Sequence, residues 1–384
     1  MNFPSAHSKR LSPVLPTPFA IYPAGAMPSE TASRDGRARR TVGDYCLVRQ
    51  LLCDERLTST KEPKDALLQS DGRMFDLVGK WPLYSEGLEH RRRRLAAAWK
   101  AVSRRAIDAE MIRMADEIAR SIAERNSANV DVYSDLALPY ARHLAGEILG
   151  IHPEDREAAF LIGEEVLAFI SKVDGTEIAA ASAAEAIRRF GSLRMGSELS
   201  TQSRRPSPSL DNDELIAVQL QILTGTYRPV AVGLATAILA IGCDKRLQAI
   251  ASNPDFVPSI VDECLRFSTP FHIAARRAAS DFVVDGLHVS QNDFVKLQLL
   301  TANHDASIYA NPSTFDPWRW PHSSQHLAFG FGAHACIGSS IATRAIARAI
   351  EVFSNLIPSF ETILCEYRPT FGMTTFERAL ISLD

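Results

Sequence analysis

Several signals of common protein classes are missing from this sequence. Its 42 basic and 45 acidic side chains nearly cancel, so no excess of positive charge indicates a nucleic-acid partner. None of the six cysteines forms a CxxC pair and no signal peptide precedes them, which predicts reduced thiols in a cytoplasmic protein. No unbroken run of ~18 apolar residues is found, so no membrane-spanning segment is expected.

The absence of alternating helical and strand patterns excludes a parallel α/β fold. Residues at helical spacing fill three early stretches, 89–124, 131–149 and 154–173. Short alternating segments occur only later, at 282–284 and 294–300. Internal repeats and long low-complexity tracts are also lacking. The pattern predicts a mainly α fold with a minor β part, in a single domain over residues 1–384 with a flexible arm at residues 1–20.

One helix is expected to be unusually long and buried. Two prolines within residues 203–209 predict a loop, and Asp211 with Glu214 three positions later has the pattern of a capping box. The apolar run that follows continues to Gly242, which suits a C-terminal cap. About 30 residues give a helix of ~45 Å. Because it is apolar on most sides, this helix should cross the middle of the protein.

A glycine-rich segment near the C-terminus carries the most specific motif. Residues 326–338 read HLAFGFGAHACIG. This segment resembles the haem-binding loop of the cytochrome P450 family, whose pattern is FGxGxHxCxG. The matched positions are Phe329, Gly330, Gly332, His334, Cys336 and Gly338. The resemblance implies a cytochrome P450 fold in which the Cys336 thiolate binds the iron of haem b and pushes electron density towards it.

The residue types in this loop suit that role. Gly330 and Gly332 permit tight turns and a close approach of the backbone to a flat macrocycle. Backbone N–H groups around the Cys336 sulfur, and the positive end of a helix that starts near Ser339, would stabilise a thiolate. Phe329 would shield the sulfur from water. A single cysteine between glycines is otherwise typical of a buried structural thiol, but the length of the matched pattern favours haem.

Two further segments match the family in the expected order. Glu263 and Arg266 match its ExxR motif, and their spacing puts both side chains on one helix face, where they can pair. Residues 315–319, FDPWR, match the segment that supplies a second arginine, Arg319. By resemblance these three residues form a structural triad near the cysteine loop. The resemblance covers roughly residues 80–384.

The resemblance also assigns ligands to the haem propionates. His90 and Arg94 lie four residues apart, on one helix face, and match a helix that binds one propionate. Arg276 and His334 match further propionate ligands. Arginine suits a carboxylate because it is permanently charged and binds in a bidentate manner. For a single arginine, a solvated surface position is the alternative.

The basic run that follows His90 has two interpretations. Arg91, Arg92 and Arg93 would crowd the face nearest the cysteine. In the family this face docks an acidic electron donor such as a ferredoxin, which works with a ferredoxin reductase, and positive charge would steer it. The other interpretation is a solvated helix face.

The central helix departs from the family where oxygen is activated. Family members carry an AG-x-acid-Thr run whose acid and alcohol relay protons, whereas residues 224–229 here read TGTYRP. Tyr227 stands at the acid position and Arg228 at the threonine, and Pro229 should kink the helix. Thr226, Tyr227 and Arg228 are the candidate catalytic residues.

The Arg-Pro pair resembles the fatty-acid peroxygenases of the same superfamily. In those enzymes the arginine binds the substrate carboxylate, and hydrogen peroxide replaces oxygen and reductant. A charged Arg228 in an apolar pocket needs a partner. One interpretation gives it a substrate carboxylate, and the other gives it an internal carboxylate of the protein.

The predicted function is that of a haem-thiolate oxidase in specialised metabolism. It would hydroxylate or otherwise oxidise a small organic molecule, with a carboxylate-bearing substrate as one option. A peroxygenase, or an enzyme of oxidative coupling or desaturation, is the alternative, and a haem-binding protein without redox turnover is another. The substrate pocket is expected to be lined by Arg228, Pro270, Phe271, His272, Ile273 and Phe371.

Overall fold

A computed structural model describes most of the chain. The described residues are 15–16, 31–32, 38–59, 72–100, 104–125, 128–171, 185–195, 210–368 and 372–383. The arm expected at residues 1–20 lies outside these ranges except for Leu15 and Pro16, and Phe371 of the expected pocket also lies outside them.

Helices dominate the described residues, which confirms the mainly α class. The helices are α1 (Tyr45–Leu51), α2 (Gly72–Gly79), α3 (Gly87–Lys100), α4 (Arg104–Ala123), α5 (Leu138–Leu149), α6 (Arg156–Ser171), α7 (185–191), α8 (Asn212–Cys243), α9 (Lys245–Gln248), α10 (Val257–Ser268), α11 (Leu299–Ala302) and α12 (Ser339–Leu356). The strands are β1 (Thr31–Ala32), β2 (Ala38–Val42), β3 (Leu57–Thr58), β4 (Asn129–Asp131), β5 (Ile273–Ala278), β6 (Phe282–Val284), β7 (Leu287–Val289), β8 (Phe294–Gln298), β9 (Phe360–Tyr367) and β10 (Phe376–Leu383).

The strands among the described residues form three small sheets. One has the order β1-β2-β8-β5-β3, in which β2 and β8 are parallel and the other neighbours are antiparallel. The second has the order β4-β10-β9, and the third is the hairpin of β6 and β7. Strand β5 matters for the site because it carries Arg276, held in register with Val295 of β8.

Helix α8 forms the centre of the fold. It runs for 32 residues, and Asp211 and Glu214 make the capping box that the sequence predicts. It ends at Cys243, with Asp244 rather than Gly242 as its C-terminal cap. The helix contacts α3, α5, α6, α10 and α12. It continues through Pro229, whose missing N–H leaves the carbonyl of Gly225 without its usual helical donor.

The expectation that no segment is apolar enough to span a membrane is wrong for α8. This helix has the required length and a mean hydropathy of 1.4 over its most apolar 18 residues, but 78% of that stretch is buried inside the protein. Packing against neighbouring helices accounts for its composition. At Gly233 an added methyl group would lie 2.8 Å from Ile346, so this glycine permits the close approach of α8 and α12.

Helix boundaries differ from the sequence prediction in the first half of the chain. The stretch 89–124 contains two helices, α3 and α4. The stretch 131–149 starts as β4 and a wide helical turn over Val132–Ala137 before α5 begins. Pro139 marks that start, because proline fits the first turn of an α-helix, where its missing N–H costs no helical hydrogen bond. The strand expected over 294–300 ends at Gln298, where α11 follows.

Candidate active site

The backbone holds the cysteine loop in a closed turn immediately before α12. The N–H of Cys336 donates a hydrogen bond to the carbonyl of Phe329 at 2.8 Å. Gly330 and Gly332 have φ angles of 65° and 74°, which strongly favour glycine. At Gly332 an added methyl group would also lie 2.9 Å from Sγ of Cys53, at the end of α1. The packing of α1 against the loop therefore needs glycine at this position.

The Cys336 side chain is exposed although protein surrounds it. Burial raises the pKa of its thiol, whereas the Gly338 N–H, the charge of Arg94 and the Ser339 N–H lower it. A side chain that water reaches but that protein desolvates lies in a hollow of the fold. The first N–H groups of α12 have no acceptor within their own helix, so they can donate to a thiolate.

Two of the predicted propionate ligands lie against each other. The ring centroids of His90 and His334 are 4.3 Å apart. Nε2 of His334 lies 3.3 Å from Oε2 of Glu86, and Nδ1 of His334 is buried with no hydrogen-bond partner among the described residues. Burial, followed by the nearby His334 and Arg94, lowers the pKa of His90 to about 4. The two rings therefore pack against each other, and Nδ1 of His334 can still form a hydrogen bond with a bound group.

Two arginines near these rings lack an ion-pair partner within the described residues. Arg276 is 5% exposed, and its guanidinium donates to the carbonyl of Ala275 at 2.9 Å. Burial lowers the pKa of both Arg94 and Arg276, and the neighbouring Cys336 and Glu86 respectively oppose that effect. A buried cation without an anion is costly. The group as a whole fits a flat cofactor with carboxylates along one edge and a metal that takes a thiolate, as haem does.

The ExxR pair is fully buried and gains further partners. Arg266 donates from Nε and Nη2 to the two oxygens of Glu263, at 2.9 and 2.8 Å. Arg319 lies 3.2 Å from Glu263, and Trp320 donates its indole N–H to the same carboxylate at 3.1 Å. Arg266 also donates to the carbonyl of Asn303 at 2.8 Å. The structure therefore brings the predicted triad together, and Trp320 joins it.

Arg228 has an internal carboxylate as its partner. Its Nε donates to Oε1 of Glu164 at 3.1 Å, and its Nη2 contacts the other oxygen. The fully buried Tyr227 donates its hydroxyl to the same Glu164 at 2.7 Å. Both side chains therefore turn towards α6. This geometry favours the second interpretation of Arg228, an internal carboxylate as its partner, whereas binding of a substrate carboxylate stays a prediction.

A different face of α8 is open. Ile222, Gly225, Thr226 and Pro229 are spaced as i, i+3, i+4 and i+7, so they share one face, and each is at least partly exposed. Gly233 continues this face and packs against α12, the helix that follows Cys336. The Thr226 hydroxyl donates to the carbonyl of Ile222 at 2.6 Å. Of the three candidate catalytic residues, Thr226 is the one on this face.

Residues 270–273, which are expected to line the substrate pocket, alternate between buried and partly exposed side chains. Pro270 and His272 are buried, and Nε2 of His272 lies 2.9 Å from the hydroxyl oxygen of Thr374. Burial lowers the pKa of His272 to about 4. Phe271 and Ile273 remain partly exposed. The hydrophobic side chains can therefore face a substrate, whereas His272 serves the packing of the segment.

Two arginines of the basic run do not lie free on the surface. Arg92 Nη1 donates to Glu214 at 2.9 Å, and Arg93 Nε donates to the same carboxylate at 3.1 Å. Arg91 is exposed and has no ion pair within the described residues. Of the three arginines, Arg91 is therefore the one whose charge no ion pair within the described residues balances, and docking of an acidic electron donor stays a prediction.

A second cluster has metal-ligand residue types. The ligand atoms of Glu110, His143 and Glu147 lie within 4.8 Å of one another. Arg156 donates to Nδ1 of His143 at 2.9 Å, so the neutral imidazole carries its proton on Nε2, 2.5 Å from Glu110. That tautomer has no lone pair on Nε2 to give to a metal. The cluster is therefore an ion-pair network.

Three acidic residues at the site have no signal in the sequence that would assign them there. Glu86 contacts His334, Glu164 binds Arg228, and Glu214 binds Arg92 and Arg93. Their partners lie dozens to hundreds of positions away, so helical spacing does not reveal them. Glu214 alone had a local signal, as a capping-box residue.

Known proteins resemble this chain over most of its length. A family model described as Cytochrome P450 matches residues 251–366. The chain is 28% identical over 295 residues to "Cytochrome P450-terp" of Pseudomonas sp, a match that covers 69% of this chain and 68% of the relative. Among solved structures, P450BioI in complex with an acyl carrier protein ligated to hexadec-9Z-enoic acid has a TM-score of 0.80 at 23% identity, covering 96% and 98% of the two chains. CalO2 has a TM-score of 0.77 at 20% identity, covering 92% of each chain.

The solved structures establish the cytochrome P450 fold, and a sequence relative carries the family assignment. The chain is 30% identical over 273 residues to the "Biotin biosynthesis cytochrome P450" of Bacillus subtilis (strain 168). This match covers 66% of this chain and 68% of the relative. On that likeness the chain belongs to the cytochrome P450 family of haem-dependent oxidoreductases.

Proposed function

We propose that the protein is a haem-thiolate oxidase that binds haem b through Cys336 and oxidises a small organic molecule. The observation that carries the proposal is the Cys336 sulfur, which is reachable from a hollow and faces the N–H groups of Gly338 and Ser339. When bound, haem supplies the oxidising chemistry at its iron. The chain, as one domain over residues 1–384, supplies the thiolate, the cage and the substrate pocket.

The proposed roles follow from charge and exposure. Cys336 is the axial ligand, Phe329 shields its sulfur, and the Gly338 N–H stabilises its negative charge. The cofactor carboxylates are held by His90, Arg94, Arg276 and His334. Arg94 and Arg276 support this assignment because neither forms an ion pair within the described residues, although Cys336 and Glu86 respectively lie near them. The Glu263, Arg266 and Arg319 cluster is structural.

Proton delivery at the open face of α8 is assigned to Thr226. Its hydroxyl lies on the face that continues towards α12, and the carbonyl of Gly225, freed by Pro229, can accept a hydrogen bond from water. Together these groups can hold a water molecule in place of the missing family threonine. Phe271 and Ile273 are assigned to the substrate pocket.

Oxygen with an external reductant is favoured over peroxide. The peroxygenase alternative depends on an arginine that is free to bind a substrate carboxylate, and Glu164 already occupies Arg228. The proposed electron donor is a ferredoxin with its reductase, steered by Arg91. The proposed location is the cytoplasm, with no nucleic-acid or membrane partner.

The substrate is proposed to belong to specialised metabolism. This proposal draws on fold neighbours such as TxtC, whose structure is titled for thaxtomin hydroxylation. P450BioI was solved with an acyl carrier protein carrying a fatty acid. Carrier-bound acyl chains are therefore one substrate class to compare with free acids and neutral molecules.

The reduced protein should form a carbon monoxide complex with the red-shifted Soret band that gives the family its name. Cys336→Ala should abolish that band, because no thiolate would remain on the iron. Cys53→Ala is the matched control, since its thiol is exposed and packs beside the same loop. A Cys336→Ala protein that keeps the band would refute the ligand assignment. Turnover with reductant, with peroxide or with neither then separates monooxygenase, peroxygenase and a haem protein without turnover.

A further inference from the structure

Glu214 links the start of the central helix to the helix that carries two proposed haem ligands. Its side chain is 6% exposed. Its carboxylate receives Nη1 of Arg92 at 2.9 Å and Nε and Nη2 of Arg93 at 3.1 and 3.0 Å. It also accepts the N–H of Asp211 at 3.1 Å as part of the capping box. One buried carboxylate thus neutralises two consecutive arginines of α3 and joins them to α8.

The same two arginines precede Arg94, which forms no ion pair within the part of the chain that the structure describes. At about 3.6 residues per turn, His90 and Arg94 share one side of α3. Arg92 lies on the opposite side, and Arg93 lies on a flank. The contacts with Glu214 therefore fix the rotation of α3 about its axis. With that rotation, His90 lies against His334 and the charge of Arg94 acts on Cys336.

A second contact extends the link to the segment before α3. Nη1 of Arg93 donates to Oγ of Ser85 at 2.6 Å, and that hydroxyl donates to the carbonyl of Trp81 at 2.8 Å. The next residue, Glu86, contacts His334. Arg93 therefore connects Glu214 both to the helix and to the turn that holds the His334 ring.

We infer that Glu214 is a positioning residue of the haem site: by holding Arg92 and Arg93 it directs Arg94 and His90 towards the cysteine loop. This inference rests on the proposed function. Glu214 itself touches neither the cysteine loop nor the open face of α8 in any described contact.

The first test measures haem loss from the purified holoprotein to an excess of apomyoglobin. Glu214→Gln is the informative variant, because glutamine can still serve the capping box but cannot bind two arginines as an anion. We expect roughly 10- to 100-fold faster haem loss, the range found when an outer partner of a ligand is removed. Glu89→Gln is the control, since Glu89 also contacts Arg92 but is exposed. It should change the rate by less than about twofold.

The second test is a double-mutant cycle with Arg94→Gln. If Glu214 acts through the placement of Arg94, Glu214→Gln should speed haem loss strongly in the wild-type background and only weakly in the Arg94→Gln background. Equal factors in both backgrounds would overturn the inference, because a general loss of stability acts whether or not Arg94 is present. An Arg94→Gln protein that loses haem at the wild-type rate would overturn it as well.

A milder variant covers the case in which Glu214→Gln does not fold. Arg93→Lys keeps the charge but cannot make the paired bonds from Nε and Nη2. Arg93→Lys should speed haem loss in the wild-type background more than in the Arg94→Gln background. Equal factors in the two backgrounds would again overturn the inference. Failure of the proposed function has a different signature: the wild-type protein would then show no thiolate-type carbon monoxide spectrum at all.

Discussion

Nε of Arg228 lies 3.1 Å from Oε1 of Glu164, so the centre of α8 is joined to α6 by an ion pair. Tyr227 donates to the same oxygen, which gives this carboxylate two neighbouring donors from one turn of α8. A substrate carboxylate at Arg228 would compete with Glu164 for the guanidinium.

Glu164→Gln should therefore create a preference for acids that the wild-type protein lacks. The free guanidinium would attract a substrate carboxylate, because a charge-assisted bond contributes about 1.5–3 kcal/mol. Substrate-induced spectral titrations should show tighter binding of a carboxylic acid in Glu164→Gln, with its methyl ester nearly unchanged. A wild-type protein that already prefers the acid, and loses that preference in Arg228→Ala, would contradict this assignment.

Glu263→Ala should destabilise the protein by about 3–5 kcal/mol, because it leaves the buried Arg266 without its anion. The free energy of unfolding in urea, measured with the haem content, would report the loss. The control is Glu185→Ala, which breaks an exposed pair with Arg188 at the same three-residue spacing. That change should be too small to measure reliably. Similar effects for the two variants would show that burial of the ExxR pair is unimportant.

The contribution of Glu214 to stability should depend on pH. The hydrogen bond from Arg92, against the opposing effect of burial, lowers the pKa of Glu214 from 4.5 to about 2. A carboxyl group with a depressed pKa contributes stability that is fully present above its unfolded pKa and is lost as the pH falls towards its folded pKa. The difference in unfolding free energy between wild type and Glu214→Gln should therefore be constant above about pH 5 and shrink below about pH 4.5. A difference that stays constant down to about pH 3 would contradict the pairing.

Gly332→Ala should impair the cysteine loop more than Gly286→Ala impairs its hairpin turn. Both glycines have positive φ, but the added methyl group at Gly332 would lie 2.9 Å from Cys53 Sγ and 3.1 Å from the Leu52 carbonyl. At Gly286 it would meet no atom of the described residues within 4 Å, so only the backbone cost of about 1 kcal/mol remains. Unfolding temperature and haem content should both fall further in Gly332→Ala. Equal losses would show that α1 does not constrain the loop.

Local patterns in the sequence were sufficient for the elements whose physics is local. The capping box of Asp211 and Glu214 spans three residues, and the pairing of Glu263 with Arg266 needs one helical turn. The positive φ angles at Gly330 and Gly332 follow from a turn that other residues adopt only with strain. The long apolar run likewise identified α8 as the buried central helix, since such a surface must be covered.

Only the tertiary structure decided which charges meet. Glu164 neutralises Arg228, and Glu214 takes Arg92 and Arg93, because α6 and α3 pack against α8 at particular rotations. A carboxylate on another element has no fixed spacing from its arginine, so the sequence left both interpretations of Arg228 open. Pro229 is a similar case. The sequence alone shows that a residue without an N–H stands within α8, whereas the packing of α8 on α12 determines which way Pro229 and its neighbours face. The direction in which a side chain points depends on how whole helices pack. That packing results from many contacts between residues far apart in the chain, so no short stretch of sequence contains it.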